Sequence, residues 1–548
     1  MKKNALTNAV IAGIAGVAGL AGVANAVNLN PDGLGQVLVY PYYTVNGGNS
    51  TLVSVVNTTG LGKAVKVRFL EGRNSREVLD FNLYLSPYDV WTGAVFALGG
   101  SATGPGNLTT ADTSCTAPNI RTNSSLPVLP GTTTRYVPFR NFQYVDYPAN
   151  ASVLDNNDSG PDDLERTREG HLEIIEMGIV RNISRGSLNA ITHNSAGFPN
   201  NCLQIEKAWT AGDANNYWVA SNGATDMEAP TATTRGGLFG SAAIVDATNG
   251  TQLAYSPDAI DGFSVALLHT APGSTFPTLG SATHPDTSSA NAIVFDNGQL
   301  INLSYDASDI DAVSAVFMHD AIFNEYAAYG TFNSEWVVTF PTKRFYVDEA
   351  LVGVPAIDPF QYIFPEEEGD YPYDGMAPVD ITLSLYNREE KTTTAATCND
   401  PLNPTCLDFS PSLPGAVAAG PQLFWESQVV TFNQGAIFDS NGNVTGESAI
   451  LGSKLVANVN TAQHGFNTGW LRMGFYAASA PFAGSLINEH ISEADNFGNS
   501  LVGMPVTGFW AENTSTTSVL ANFAGLWKHK GSRCLVPSGV TAASACGI

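Results

Sequence analysis

The chain has 548 residues, enough for about two to four domains. Asp and Glu number 50 against 25 Lys and Arg, and the net charge of −25 repels phosphate backbones, which excludes nucleic acid as a partner. Only 14% of residues are charged while 44% are hydrophobic, so the surface must be dressed with Asn, Ser, Thr and Gly; this is the composition of an exported β-rich protein, not of a helical cytosolic enzyme.

Lys2 and Lys3 precede an apolar run over residues 10–23, which closes on Ala24-Asn25-Ala26. A positive start, an apolar centre and a small-x-small end read as a secretory signal over 1–26, with Val27 as the first mature residue. The run is too short and too rich in Gly for a membrane span, and no later stretch approaches 18 consecutive apolar residues. The expected product is exported, extracellular or at the cell surface (the periplasm being the alternative), with no integral membrane span after cleavage.

From Gln36 the text reads as strands. Residues 37–40 and 52–56 flank the Asn46-Gly47-Gly48-Asn49 turn, and 64–70 set Val65, Val67 and Phe69 on one face and Lys66 and Arg68 on the other. Residues 80–85 and 90–98 continue the pattern. A long Ser/Thr/Gly/Pro loop follows over 99–135, then a Gly-bounded strand over 170–178. Hairpins are expected around Asn249-Gly250 and Asp296-Asn297-Gly298, because Asn-Gly suits the tight turn that joins antiparallel strands. One substantial helix is expected over 308–328, capped by Ser308 with Asp311 three residues on and with Ile310, Val313, Phe317, Ala321 and Asn324 on one face. Residues 335–340 and 344–347 read as strands around Pro341, 387–421 as an insertion, and 423–432 onward as strands again. The expected fold is all-β and mainly antiparallel with immunoglobulin-like β-sandwich architecture: an N-terminal β-sandwich domain over 27–150, a central β-rich domain over 151–350 that carries the helix, and a C-terminal β-rich domain over 351–548 with the disulfide-containing insertion.

Six cysteines suit an oxidising compartment. Six allow 15 pairings; proximity favours Cys398–Cys406 and Cys534–Cys546, which leaves Cys115–Cys202 as the long-range bridge. No Cys or His spacing fits zinc.

Tyr40-Pro41-Tyr42-Tyr43, the run 169–178, the run 336–344 and Trp527-Lys528-His529-Lys530-Gly531 together resemble a group of exported proteobacterial β-rich proteins of unknown function. The resemblance brings no activity and no catalytic residues.

The sequence lacks Gly-x-Ser-x-Gly, His-Glu-x-x-His and a P-loop, and its eight histidines are scattered. Paired carboxylates could serve a secreted carbohydrate-active enzyme. The candidates are Glu173 and Glu176, whose odd spacing turns them to opposite faces of a strand, and the loop carrying Glu366, Glu367, Glu368, Asp370 and Asp374. Calcium is the sharper candidate: Asp155, Asn157 and Ser159 stand at positions 1, 3 and 5 of a loop with Gly160 at 6, and Asp162 or Asp163 supplies further charge. Position 12 falls on Arg166, so the loop departs from an EF-hand. The expectation is a non-enzymatic surface or matrix protein with a structural or adhesive role, stabilised by calcium, whose partner is a surface polymer, a glycan or another copy of itself. A carbohydrate-active enzyme and an outer-membrane β-barrel are the alternatives.

Overall fold

The computed structural model describes residues 26–99, 103–145, 158–282, 290–296, 298–306, 309–348, 351, 358–364, 375–394, 408–410, 421–438, 444–476, 490–516 and 521–546. Most of these residues lie in strands, and the sheets are largely antiparallel.

The first sheet has ten strands. From one edge it runs Gln299–Tyr305, Ala290–Asp296, Val27–Leu29, Asp258–Asp261, Val37–Thr44, Glu169–Val180, Gly62–Glu71, Glu77–Leu85 and Cys115–Ala117, with Met227–Glu228 paired beside Glu169–Val180. Val37–Thr44 is buried along its whole length. Its Leu38, Tyr40 and Tyr42 enter one core and its Val37 and Val39 another, so it reads as a continuous run of strand formers rather than an alternation. A six-stranded second sheet covers one face, in the order Thr251–Tyr255, Leu238–Asp246, Asn49–Asn57, Val90–Ala97, Gly106–Thr109, Val137–Pro138. Val53, Val55, Trp91, Val95 and Ile244 pack there against Leu38, Val65, Val67 and Phe81.

The opposite face of the first sheet, on which Lys66 and Arg68 stand, is covered as well. Residues 187–225 and 264–278 fold over it: Ala190, Ile191, Ile205 and Trp218 pack on Ala64, Tyr84, Met177 and Val180. Lys66 donates to the Ala271 carbonyl (3.2 Å) and Asn82 to that of Thr270 (2.8 Å).

The third sheet runs Asp408–Ser410, Val456–Asn460, Ser427–Phe432, Phe332–Thr339, Thr507–Thr516, Ala521–Lys528, and the fourth Thr392–Thr394, Thr382–Asn387, Thr468–Gly474, Ala321–Ala327, Lys530–Ser532. Trp336, Val338, Val430 and Phe432 pack between them against Ile322, Leu383, Leu471 and Met473. Val337, Val429 and Phe509, on the other face of the third sheet, join the core of the first two. Strands before residue 306 build sheets one and two, and strands after 320 build three and four. A boundary at 150 would part Glu169–Val180 from both its neighbours, and one at 350 would part Phe332–Thr339 from Ser427–Phe432 and Thr507–Thr516. Each of the four sheets is an open path with two ends among the described residues.

The expected helix over 308–328 is half that length. It spans Asp309–Phe317, and the chain then continues as Met318–His319 and Ala321–Ala327 strands. Ile322 and Tyr326 lie four apart, a spacing that shares one face in a helix and in a strand alike. Pairing with Thr468–Gly474, from Ala321↔Gly474 to Ala327↔Thr468, decides for the strand. Arg344–Val347 is a helical turn rather than a strand. Hairpins form at both expected places: Asp296↔Gln299 closes a two-residue connection, whereas Asp246↔Thr251 closes a four-residue one over 247–250, longer than the tight turn expected at Asn249-Gly250.

Candidate functional site

Glu173 and Glu176 lie on the central strand of the first sheet and are sealed from solvent. Glu173 accepts from Arg68 Nη1 at 2.6 Å, and Arg68 Nε donates to Glu77 at 2.7 Å. Glu176 accepts from Lys63 Nζ at 2.5 Å and from the Gly236 amide at 2.7 Å. Burial alone would push Glu173 up, but Arg68 and His171 outweigh it and hold the carboxyl below its ordinary range. For Glu176 burial prevails and its pKa is raised, with Lys63 opposing. The two carboxylates answer to different cations and share no site. Glu366, Glu367, Glu368, Asp370 and Asp374 lie outside the described residues, as do Asp155 and Asn157 of the calcium candidate.

The rest of that loop is described, and an arginine occupies it. Asp158 accepts from both Nη1 (2.9 Å) and Nη2 of Arg166, whose Nε (2.8 Å) and Nη2 (3.0 Å) also donate to Glu71. Burial opposes ionisation of Asp158, yet Arg166 and then Arg76 overcome it and pull its pKa down to about 2. Ser159 stands at φ +54°, Asp162 accepts through its carbonyl from Asn141 (2.7 Å), and the Asp163 carboxylate caps the turn Leu164–Arg168 by accepting from the Arg166 amide (3.1 Å). A small hollow of about 90 Å³ beside it brings Asp163, Glu165 and Glu169 together with Arg73, Arg166 and Lys454, three carboxylates against three cations. Among the described residues no three His, Cys, Asp or Glu side chains converge as metal ligands. Arg166, read in the sequence only as the residue spoiling position 12, is the counter-ion of Asp158.

Two of the expected disulfides are present. Cys115–Cys202 joins the edge of the first sheet to helix Cys202–Ala208 (Cα–Cα 5.1 Å), and Cys534–Cys546 closes the C-terminal turn (Cα–Cα 5.7 Å). Cys398 and Cys406 lie outside the described residues.

A larger opening lies elsewhere. A cleft of about 1030 Å³ lies between the first sheet and the edge strands of the third and fourth. Residues 28–33, 256–259, 293–295 and Leu300 form one wall, and Val316, Phe317, His319, Ile322, residues 506–508, residues 528–531 and Arg533 the other. Asp258 ties the walls together by accepting from Lys528 Nζ and Thr507 Oγ1. His529 is a structural ring: it donates through Nε2 to the Val337 carbonyl (2.8 Å), accepts from Asn324 at Nδ1 (2.9 Å), and is held by burial down to about 4. His319 donates through Nδ1 to the Phe317 carbonyl (2.8 Å), which leaves Nε2 as a lone pair; burial and then Arg533 hold it down to about 3. Its ring lies against Gly531, where a Cβ would come within 2.1 Å of the imidazole, so only glycine fits there.

Arg533 is the unusual group. Its Nη2 donates to the Val316 carbonyl (3.0 Å) and Nη1 to that of Phe295 (3.4 Å), while Nε is buried with no acceptor. No carboxylate among the described residues forms an ion pair with it. Lys530 likewise has none and is exposed. The sequence carried one signal of this site: three of only 25 basic residues fall within 528–533. Compared with protein-family models, curated proteins and solved structures, the chain matches none.

Proposed function

We propose that this chain is an exported, non-enzymatic surface or matrix protein in which immunoglobulin-like sandwiches form a rigid support and the cleft receives a partner. One contrast carries the reading. Glu71, Asp158, Glu173 and Glu176 are committed to buried cations, whereas Arg533 and Lys530 line an open cleft without carboxylate partners. Buried ion pairs fix a fold's geometry more readily than they perform chemistry, while an uncompensated cation in an apolar cleft is poised for an incoming group. The disulfides and the signal-like start favour an oxidising location. Calcium held by Asp155, Asn157 and Ser159, with Asp162 or Asp163, belongs to the same reading as a further stabiliser.

Fractionation of the native host and a polysaccharide-hydrolysis panel test the function. The protein is expected outside the inner membrane and inactive on every polymer. Hydrolysis abolished by a single Glu→Gln change at Glu366, Glu367 or Glu368 would replace this reading with the carbohydrate-active one. Calcium is tested separately: binding to the native state raises the melting temperature with calcium concentration, and chelation reverses it.

A further inference from the structure

We infer that the cleft binds an anionic amphiphile, a linear aliphatic chain ending in a carboxylate, with the head group on Arg533 and Lys530 and the chain along the apolar floor. The inference rests on the cleft being the partner site and goes further by naming the ligand's chemistry.

The head-group end follows from hydrogen-bond accounting. The partly exposed Arg533 guanidinium, held by two carbonyls, has its charge uncompensated at close range among the described residues, and three of its five N–H donors are unspent. Asp258 and Asp296 act on it only at longer range, and burial disfavours its charged form. A carboxylate in the cleft can accept from the free Nη hydrogens and supplies the missing charge, and guanidinium–carboxylate bonds are about twice as strong as neutral ones. Lys530, exposed on the same wall, adds a second cation without reorganising the fold. His319 offers a lone pair rather than a second N–H, so the cations face the head group alone.

The chain end follows from the floor. Leu29, Ile293, Phe295, Leu300, Phe317 and Ile322 all line the cleft. Phe295 and Leu300 are register partners on the 290–305 hairpin and are 62% and 55% exposed, so the apolar surface continues to the mouth. A methylene chain needs only area. The volume lies at the upper end of ordinary ligand sites, which run to about 1,000 Å³, so an extended chain fits without opening the sheets. In a chain of net charge −25, a cationic wall is a local departure that selects anions from a repelling surface.

The test uses the full mature chain with 1-anilinonaphthalene-8-sulfonate as fluorescent probe and competitors below their micellar concentrations. Laurate is expected to displace the probe, with dodecan-1-ol at least tenfold weaker. Each methylene added from decanoate to tetradecanoate should tighten binding about three- to fourfold, the factor equivalent to ~0.8 kcal/mol per methylene. Arg533→Gln should bring laurate down to the affinity of the alcohol. Because Arg533 also holds two carbonyls, the exposed Leu300→Asp is the control for folding, and it should weaken laurate and dodecanol alike. Equal affinity of laurate and dodecanol for the native protein, or laurate binding unchanged in Arg533→Gln, overturns the inference. If the probe binds the native chain, is lost in Leu300→Asp, yet is displaced by no carboxylate of any length, the ligand class is wrong and the cleft remains the partner site. No probe binding at all removes both.

Discussion

Glu173 and Glu426 are both buried glutamates, but their surroundings demand opposite charge states. Glu173 has Arg68 at 2.6 Å, which outweighs burial and keeps it ionised. Glu426 has no hydrogen-bond partner for either carboxylate oxygen; burial raises its pKa well above the ordinary range, with Lys343 and Arg344 opposing. Lys343, which donates to the Phe424 carbonyl (3.1 Å), is itself brought by burial down to about 7. A neutral isostere therefore mimics Glu426 and not Glu173. Glu173→Gln should cost about 3 kcal/mol, since it leaves Arg68 half-compensated in the interior, while Glu426→Gln should stay within about 1 kcal/mol. Equal losses in urea unfolding would refute the assignment. Acid stability follows from the same groups. His269, wedged between Tyr84 and the Gly223 carbonyl, is held by burial down to about 4 from an ordinary 6.5. Its folded pKa lies below its unfolded one, so the unfolded chain binds more protons between these values. The stability it contributes is complete above about 6.5 and is lost as pH falls through about 4. Asp158, held to about 2, loses its contribution below the ordinary aspartate range of about 3.9. The melting temperature should thus fall in two stages on acidification. His269→Gln should shrink the upper stage, which His319 and His529 share, and leave the lower one unchanged; an unchanged upper stage would contradict it.

The elements show what local chemistry can and cannot specify. Cys115–Cys202 spans 87 residues and Cys534–Cys546 spans 12, and loop-closure entropy grows with the logarithm of that span. Replacing the first pair by serine should cost about 4 kcal/mol and the second about 3 kcal/mol in denaturant unfolding; a larger loss at 534–546 would mean that contacts, not chain entropy, govern these bridges. The two hairpins were legible because Asn-Gly is a local turn signal, although the first connection runs to four residues. The helix was legible as far as Phe317 and misread beyond it. The segment 318–327 carries a spacing that serves both periods, and its partner strand lies about 140 residues on in the sequence. The covered face of the first sheet was illegible for a related reason. Alternation distinguishes apolar from charged positions, but Lys63, Lys66 and Arg68 are buried with carboxylates or carbonyls from 9 to 205 residues away, and most of these partners lie beyond any local window. The cleft is more dispersed still. Its walls come from six segments between residues 28 and 533, so only the basic cluster at 528–533 could be seen in the sequence.

At the scale of the whole molecule, three residues at the start of the described chain hold one edge of the first sheet. Val27–Leu29 lies between Asp258–Asp261, to which it pairs antiparallel (Asn28↔Asp261), and Ala290–Asp296, to which it pairs parallel (Val27↔Ala292). The 290–305 hairpin has no other bridge to the sheet among the described residues. Helix Asp309–Phe317 packs on that hairpin through Ala312, Val313 and Val316, in the core that also contains the fully buried Val27. Val27 is also the residue expected to follow signal removal, so mass spectrometry of the exported protein should find it at the N-terminus. A cut three residues later would then be far more damaging than its size suggests. Removing residues 27–29 should forfeit about 2 kcal/mol from Val27 alone, strip the hairpin of its ladder bonds, and take Leu29 from the floor of the cleft. Hydrogen exchange reads this directly. Amides over 290–305 should lose protection in the truncated chain while those of Glu169–Val180 keep theirs, because the latter strand retains both its neighbours. Protection lost across the entire first sheet would instead make the edge and the centre one cooperative unit. Protection unchanged over 290–305 would mean that the helix, and not the strand, anchors the hairpin.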